Sequence, residues 1–244
     1  MRKFVLVGTQ RSGTTYIRQC LNSHEDILCH GEIFLKNYPG EVGYFKSIKG
    51  QCCHTFLHAF MRPLQVRKYL DYYYSQSDYQ ATGFKLMYSQ VRWIPYSFPS
   101  VLRYINNNNV AVIHLVRHNV LKTYVSREVA KRRKIYHSKR KEEIAKIRIE
   151  ASKLITELRS IQYENEWWSK RFSLGDYFSL SYESFIAEKE KESRKLLSFL
   201  GINDYQELSS SNVKITPETL SDVIENFSDV ENCLKGSEFA HCLD

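Results

Sequence analysis

The chain has 244 residues, 43% of them hydrophobic, and a formal net charge of +8 at pH 7. This length and apolar content support one sizeable core, so a single domain over residues 1–244 is expected. No run of about 18 apolar residues is present, which argues against a membrane-spanning helix. The basic balance favours an anionic ligand or substrate. The first strand begins near Lys3, leaving no room for a leader peptide. The six cysteines (Cys20, Cys29, Cys52, Cys53, Cys233 and Cys242) lack Cys-x-x-Cys pairing. They are expected to be reduced thiols of a cytoplasmic protein, with no metal bound.

In chain order, residues 4–7 form an apolar run that can be buried on both faces, as a central parallel strand requires. A tight loop from Gly8 to Gly13 follows, and then a helix over 14–21. Ile27-Leu28-Cys29 is a short apolar piece leading into His30-Gly31-Glu32-Ile33-Phe34. Residues 35–79 are irregular or partly helical and rich in tyrosine, notably at Tyr72, Tyr73 and Tyr74. So long an excursion reads as a substrate-binding insertion or as a packing layer. A second strand is expected over 81–87, a helix over 97–105 and a turn over 106–109. Residues 110–116 make the clearest strand, apolar and β-branched. Helices follow over 119–134 and 139–172, a fourth strand over 177–181, and a helix over 188–200 closed by Gly201.

Strands alternating with helices predict an α/β protein: a P-loop-type three-layer fold with a central parallel sheet flanked by helices. Ligands bind such sheets beyond the carboxyl ends of the strands. The loops after Val7, Met87, Val116 and Ser181 are therefore where chemistry is expected.

The spacing Gly8-x4-Gly13 is that of a phosphate-binding loop, but Thr14 stands where a nucleotide triphosphatase places its lysine. Small residues let the backbone fold around an anion, and the helix start offers N–H groups and the positive end of its dipole. Thr14 and Thr15 add hydroxyls. An ordinary strand-to-helix turn with an N-cap is the alternative. The run Arg11-Ser12-Gly13-Thr14-Thr15, followed by Tyr16, resembles the 5′-phosphosulfate loop of sulfotransferases that use 3′-phosphoadenosine-5′-phosphosulfate (PAPS) and release PAP. The resemblance implies that Arg11 through Thr15, with Tyr16 beside them, hold the phosphosulfate, and that no metal is required.

Arg117 ends the clearest strand, and Ser126 lies two turns along the next helix. The two could converge on one phosphate, for which a guanidinium fork is suited. An arginine there could equally cap a helix or pair with a carboxylate. The pattern Leu-Val-Arg-x8-Ser resembles the family's 3′-phosphate segment, with a spacing more like the bacterial carbohydrate branch than the cytosolic hormone and phenol enzymes. By that resemblance Arg117 and Ser126 bind the 3′-phosphate.

Sulfuryl transfer needs a base for the acceptor hydroxyl and cations for charge on the transferring oxygens. Where the cytosolic enzymes carry Lys-Thr-His, this chain has Lys85-Leu86-Met87, and Met87 cannot accept a proton. The segment around Glu32 resembles the Gly-Glu or Pro-Glu element of trehalose-type and other carbohydrate sulfotransferases, in which a glutamate is the proposed base. Glu32 is thus the expected base and His30 the second candidate, with a plain surface glutamate as the alternative. Arg11 and Lys85 are expected to stabilise the transferring group. Ser181-Tyr182-Glu183 resembles a late family element, and Tyr182 could stack on adenine. Lys235-Gly236 resembles the loop that closes over the 3′-phosphate, although a helix cap with a trailing tail fits those residues as well.

The reading is a PAPS-dependent transferase acting on a small-molecule, glycan or glycolipid hydroxyl. A P-loop kinase or triphosphatase is the rival, but it lacks a lysine at position 14 and an acidic strand end. A nucleic-acid-binding protein using the basic residues of 127–148 lacks a recognition motif. That basic run is a solvated helix face or a rim attracting anions. Tyr72 to Tyr74 and Trp93 could stack on sugar faces or belong to the core.

Overall fold

The computed structural model describes residues 1–35, 37–47, 57–93, 98–133, 146–172, 175–210 and 219–243. Lys134, the basic run 139–141, Cys52, Cys53 and the side chain of Trp93 fall outside what it describes. Five strands pair in one parallel sheet: β1 (Arg2–Gly8), β2 (Ile27–His30), β3 (Ala81–Met87), β4 (Ala111–Val116) and β5 (Tyr177–Ser181), in the order β2-β3-β1-β4-β5. The helices between them are α1 (Thr14–Leu21), α2 (Tyr44–Ser47), α3 (Leu57–Ser75), α4 (Tyr88–Trp93), α5 (Phe98–Asn107), α6 (Val120–Arg133), α7 (Ala151–Phe172), α8 (Tyr182–Ala187), α9 (Lys189–Phe199) and α10 (Phe227–Lys235).

Alternation along the central strand sorts the two faces. Val5 and Val7 join Phe84, Leu86 and Val112 under Tyr73 and Tyr74 of α3, Tyr104 of α5 and Trp168 of α7. Phe4 and Leu6 face the other way, with Ile113 and Leu115, onto Ile17 and Leu21 of α1, Phe185 of α8 and Leu196 of α9. Full burial of Ile17 and Leu21 stabilises by about 1.5–3 kcal/mol each, which fixes α1 against the strand it follows. Gly83 in β3 lies opposite Phe4, and a Cβ there would come within 2.5 Å of the Phe4 ring and its carbonyl oxygen. Glycine inside this strand is therefore a packing requirement. A third cluster joins α6, α7 and α10 through Val125, Leu158 and Leu234.

Three local expectations change. Ile27–His30 is a fifth strand, pairing with β3 in the register His30↔Phe84. The long helix begins at Ala151, because the residues before it are bonded elsewhere: the Ile147 amide donates to Val223 O (2.7 Å), and the Ile149 amide to Asn226 Oδ1 (2.9 Å). Ser181 ends β5 and at once N-caps α8, its Oγ accepting the Ser184 amide at 3.2 Å. In the stretch 35–79, Tyr73 and Tyr74 are buried core residues, whereas Tyr72 is exposed. No helix among the described residues is long and apolar enough to cross a membrane.

Candidate active site

The strand order reverses direction at β1, which places residues 9–13 at the topological switch point of the sheet. The loop is held in an anion-receptive shape. Ser12 is fully buried and its Oγ donates to Thr9 O at 2.8 Å. Arg11 and Gly13 both have left-handed backbone, with φ of 69° and 97°. At Gly13 the ring of Tyr182 adds a second constraint, since a Cβ would lie 2.4 Å from its Cδ2. The first turn of α1 carries no acidic residue, so the amides of residues 14–16 and the helix dipole are left for an external anion.

Two side-chain groups flank this loop. In the first, Arg11 Nε donates to Ser126 Oγ (3.0 Å), and Arg117 Nη1 donates to the Arg11 carbonyl (3.4 Å). The Arg117 guanidinium lies 5.0 Å from the Tyr182 ring centre and 3.9 Å from Glu183, yet its buried Nε has no hydrogen-bond partner. Burial, then the charge of Arg117, pushes the Arg11 guanidinium below its ordinary value. Burial also lowers Arg117, against the opposing pull of Tyr182 and Glu183. Arginine does not give up its proton in proteins, so these remain two adjacent, poorly solvated cations. Glu183 also accepts the amides of His118 (3.0 Å) and Asn119 (3.1 Å), anchoring the turn that carries Arg117.

The second group sits at the ends of β2 and β3. Because His30 pairs with Phe84, the next residues bring Gly31 O to the Lys85 amide (3.2 Å) and the Glu32 carboxylate to Lys85 Nζ (2.9 Å). Lys85 Nζ also donates to Thr15 Oγ1 at 3.2 Å. Gln90 Nε2 donates to Glu32 at 3.3 Å while its carbonyl accepts the Met87 amide at 3.0 Å. Thr14 contacts Met87 Sδ at 3.7 Å. The carboxylate and ammonium are thus carried by adjacent strands to the first turn of α1.

The structure therefore brings Arg11, Ser126, Arg117 and Tyr182 together on one side, and Glu32, Lys85 and Thr15 together on the other. Arg11 turns towards Ser126, on the side of the loop opposite Lys85. Tyr16 packs edge-on against Tyr182, with ring centres 6.4 Å apart. His30 leaves the site: its Nδ1 bonds Tyr73 Oη (2.9 Å), whose own proton goes to Gly83 O (2.6 Å), in the layer on the α3 side of the sheet. Lys235 pairs with Glu231 on its own helix at 3.2 Å, and Gly236 ends that helix.

A family model described as "Sulfotransferase family" matches residues 4–207. The chain belongs to the sulfotransferase family. The match ends before Lys235 and Gly236. Among solved structures, the sulfotransferase from Alicyclobacillus acidocaldarius is similar, with 14% identity, a TM-score of 0.50, and coverage of 99% of this chain and 96% of that one. A mouse sulfotransferase complexed with PAP is also similar, with 15% identity, a TM-score of 0.50, and coverage of 99% and 87% respectively. At such identities the likeness shows the shared parallel α/β fold. No curated protein matches the sequence.

Sequence reasoning passed over three polar residues at this candidate site. Gln90, three residues beyond Met87, braces Glu32. Glu183 supports Arg117, and its position directly after Tyr182 was the available signal. Arg127, next to Ser126, reaches the loop itself: it donates to Thr9 Oγ1 and, at 3.3 Å, to the Gln10 carbonyl.

Proposed function

We propose that this sulfotransferase takes PAPS as donor in the cytoplasm and transfers its sulfuryl group to a hydroxyl of a carbohydrate or glycolipid, with Glu32 as general base. The observation that carries the proposal is the Lys85–Glu32 pair, set at 2.9 Å and tied through Thr15 to the loop that suits an anion. A nucleotide phosphorylated on both its 3′ and 5′ sides fits the residues present. The buried Nε of Arg117, which makes no hydrogen bond and lies beside Arg11 and Ser126, suits one phosphate. The amides of residues 13–16 and the Thr14 and Thr15 hydroxyls suit the other. The carbohydrate class rests on the likeness of the Glu32 segment to carbohydrate sulfotransferases.

Bound PAPS supplies an activated sulfuryl group. Everything else is positioning and electrostatics, as in phosphoryl transfer. The Glu32 carboxylate, steadied by Gln90, accepts the acceptor hydroxyl proton. Lys85 neutralises Glu32 beforehand and is released by that proton transfer to neutralise charge on the transferring oxygens. Arg11 and Arg117 offset the charge of the donor nucleotide, and Tyr182 presents an aromatic surface for its base. A kinase is a poorer fit, since Thr14 occupies the lysine position and Met87 and Arg117 stand at the strand ends.

Glu32→Gln keeps the shape and removes the proton acceptor. It is expected to bind PAP as the wild type does, by calorimetric titration, and to lose sulfation about 100-fold or more with labelled PAPS and a glycan and glycolipid panel. Turnover within about threefold of wild type would remove Glu32 from the base role. Stabilisation of the wild type by ATP and Mg²⁺ but not by PAP would overturn the donor itself.

A further inference from the structure

The loop between β1 and α1 poses a mechanical question that its ligand does not answer. Arg11 holds a left-handed φ of 69°, a conformation that a residue with a side chain keeps only where its surroundings impose it. Downstream, the loop is pinned by α1 and by Arg117 on the Arg11 carbonyl. Upstream, the two residues before Arg11 are both held by Arg127 of α6, through Thr9 Oγ1 and the Gln10 carbonyl. Arg127 in turn lies 4.0 Å from the Glu164 carboxylate of α7, and both side chains are largely buried, 24% and 18% exposed. Gln10 is tied on its other side to Ser89 Oγ at 3.1 Å.

We infer that Arg127, oriented by Glu164, is a positioning residue that sets the donor loop in its anion-binding shape before the ligand arrives. This rests on reading residues 9–15 as the donor loop. The guanidinium places its Nε and Nη2 donors on loop oxygens, so it acts on the loop through the Thr9 hydroxyl and the Gln10 carbonyl. Glu164 belongs to the longest helix of the described residues, which packs Trp168 and Phe172 against the sheet, so the loop is referenced to that helix. A loop fixed in this way binds without first being ordered, which is where preorganised sites gain affinity.

The sign of one substitution separates this role from direct contact with the ligand. If Arg127 positions the loop, Glu164→Gln loosens Arg127 and weakens PAP binding. If Arg127 touches the donor, removing the competing carboxylate leaves its charge to the ligand, and Glu164→Gln binds PAP as tightly or more tightly. The experiment is calorimetric titration of PAP into wild type, Arg127→Met, Arg127→Lys and Glu164→Gln, with thermal melts of each without ligand. Expected are a weakening of about tenfold or more in Arg127→Met, partial recovery in Arg127→Lys, and a weakening of about threefold or more in Glu164→Gln. Unchanged affinity in Arg127→Met, or unchanged or tighter binding in Glu164→Gln, overturns the positioning role while leaving the donor reading intact. A wild type that does not bind PAP overturns both. Should Arg127→Met fail to fold, the Arg127→Lys and Glu164→Gln arms decide by the same signs.

Discussion

His114 lies in the middle of β4, fully buried. Its Nε2 hydrogen-bonds Tyr88 Oη, and its Nδ1 lies 2.8 Å from Tyr177 Oη. Burial pushes the imidazole from 6.5 down to about 4. Above the unfolded value both states are neutral and the group is silent. As the pH falls through 6.5, the unfolded chain takes up a proton that the folded protein refuses, so stability is lost until the folded imidazole titrates near 4. At 1.36 kcal/mol per pH unit, the difference amounts to about 3 kcal/mol over the whole window, and about 2 kcal/mol of it is lost by about pH 5. Urea unfolding at pH values from about 7.5 to 5 would read this, comparing wild type with His114→Gln, which cannot take up the proton. His30, also pushed down by burial and by Arg18, is present in both proteins and cancels. The stability difference between the two should shift against the wild type by about 2 kcal/mol across that range. Parallel pH profiles would mean that His114 is charged in the fold or reached by water, and would refute the reasoning.

Two further predictions concern the loop between β1 and α1 and the arginine beside it. Gly13→Ala forces a Cβ into left-handed backbone (φ 97°) and to within 2.4 Å of the Tyr182 ring. The backbone costs about 1–2 kcal/mol and the crowding about 1–3 kcal/mol, so melting should fall by several degrees and the PAP-induced rise in Tm should shrink; a variant that melts and responds like wild type would show that Tyr182 yields freely. Arg117→Met should weaken PAP at least about tenfold in calorimetric titration while changing AMP, which lacks the 3′-phosphate, far less. Equal losses for the two nucleotides would take Arg117 away from the 3′ side.

How much of this was legible in the sequence depends on how local each cause is. β1, α1, β3 and β5 could be read because burial on both faces, or a loop followed by a helix, is written into consecutive residues. β2 could not, since four residues ending in a histidine carry no strand signal by themselves. Its pairing with β3 makes it a strand, and that same pairing delivers Glu32 to Lys85. The start of α7 was misplaced because Ile147 and Ile149 bond to the segment around Val223 and Asn226, far along the chain. The glycine-bounded loop between β1 and α1 was visible as a motif, but its supports were not. Arg127, Glu164 and Gln90 are ordinary polar residues on helices, and only the tertiary packing of α4, α6 and α7 gives them their targets. The turn of Arg11 towards Ser126 likewise follows from its left-handed backbone, which no motif announces.

The strand that carries the donor loop is flanked on both hydrogen-bonding edges by partners from much later in the sequence, with Phe4 opposite Gly83 on one side and Ala111 on the other. β1 is therefore made early and completed late, because neither edge can close until β3 and β4 have been added. Such long-range closure slows folding, and the loop has its shape only where both edges are paired. A ligand of that loop binds the paired sheet and not the unfolded chain, so it stabilises the native state. Where such binding is absent from the folding transition state, its stabilisation is read as slower unfolding, a lock on the finished protein and not an aid to making it.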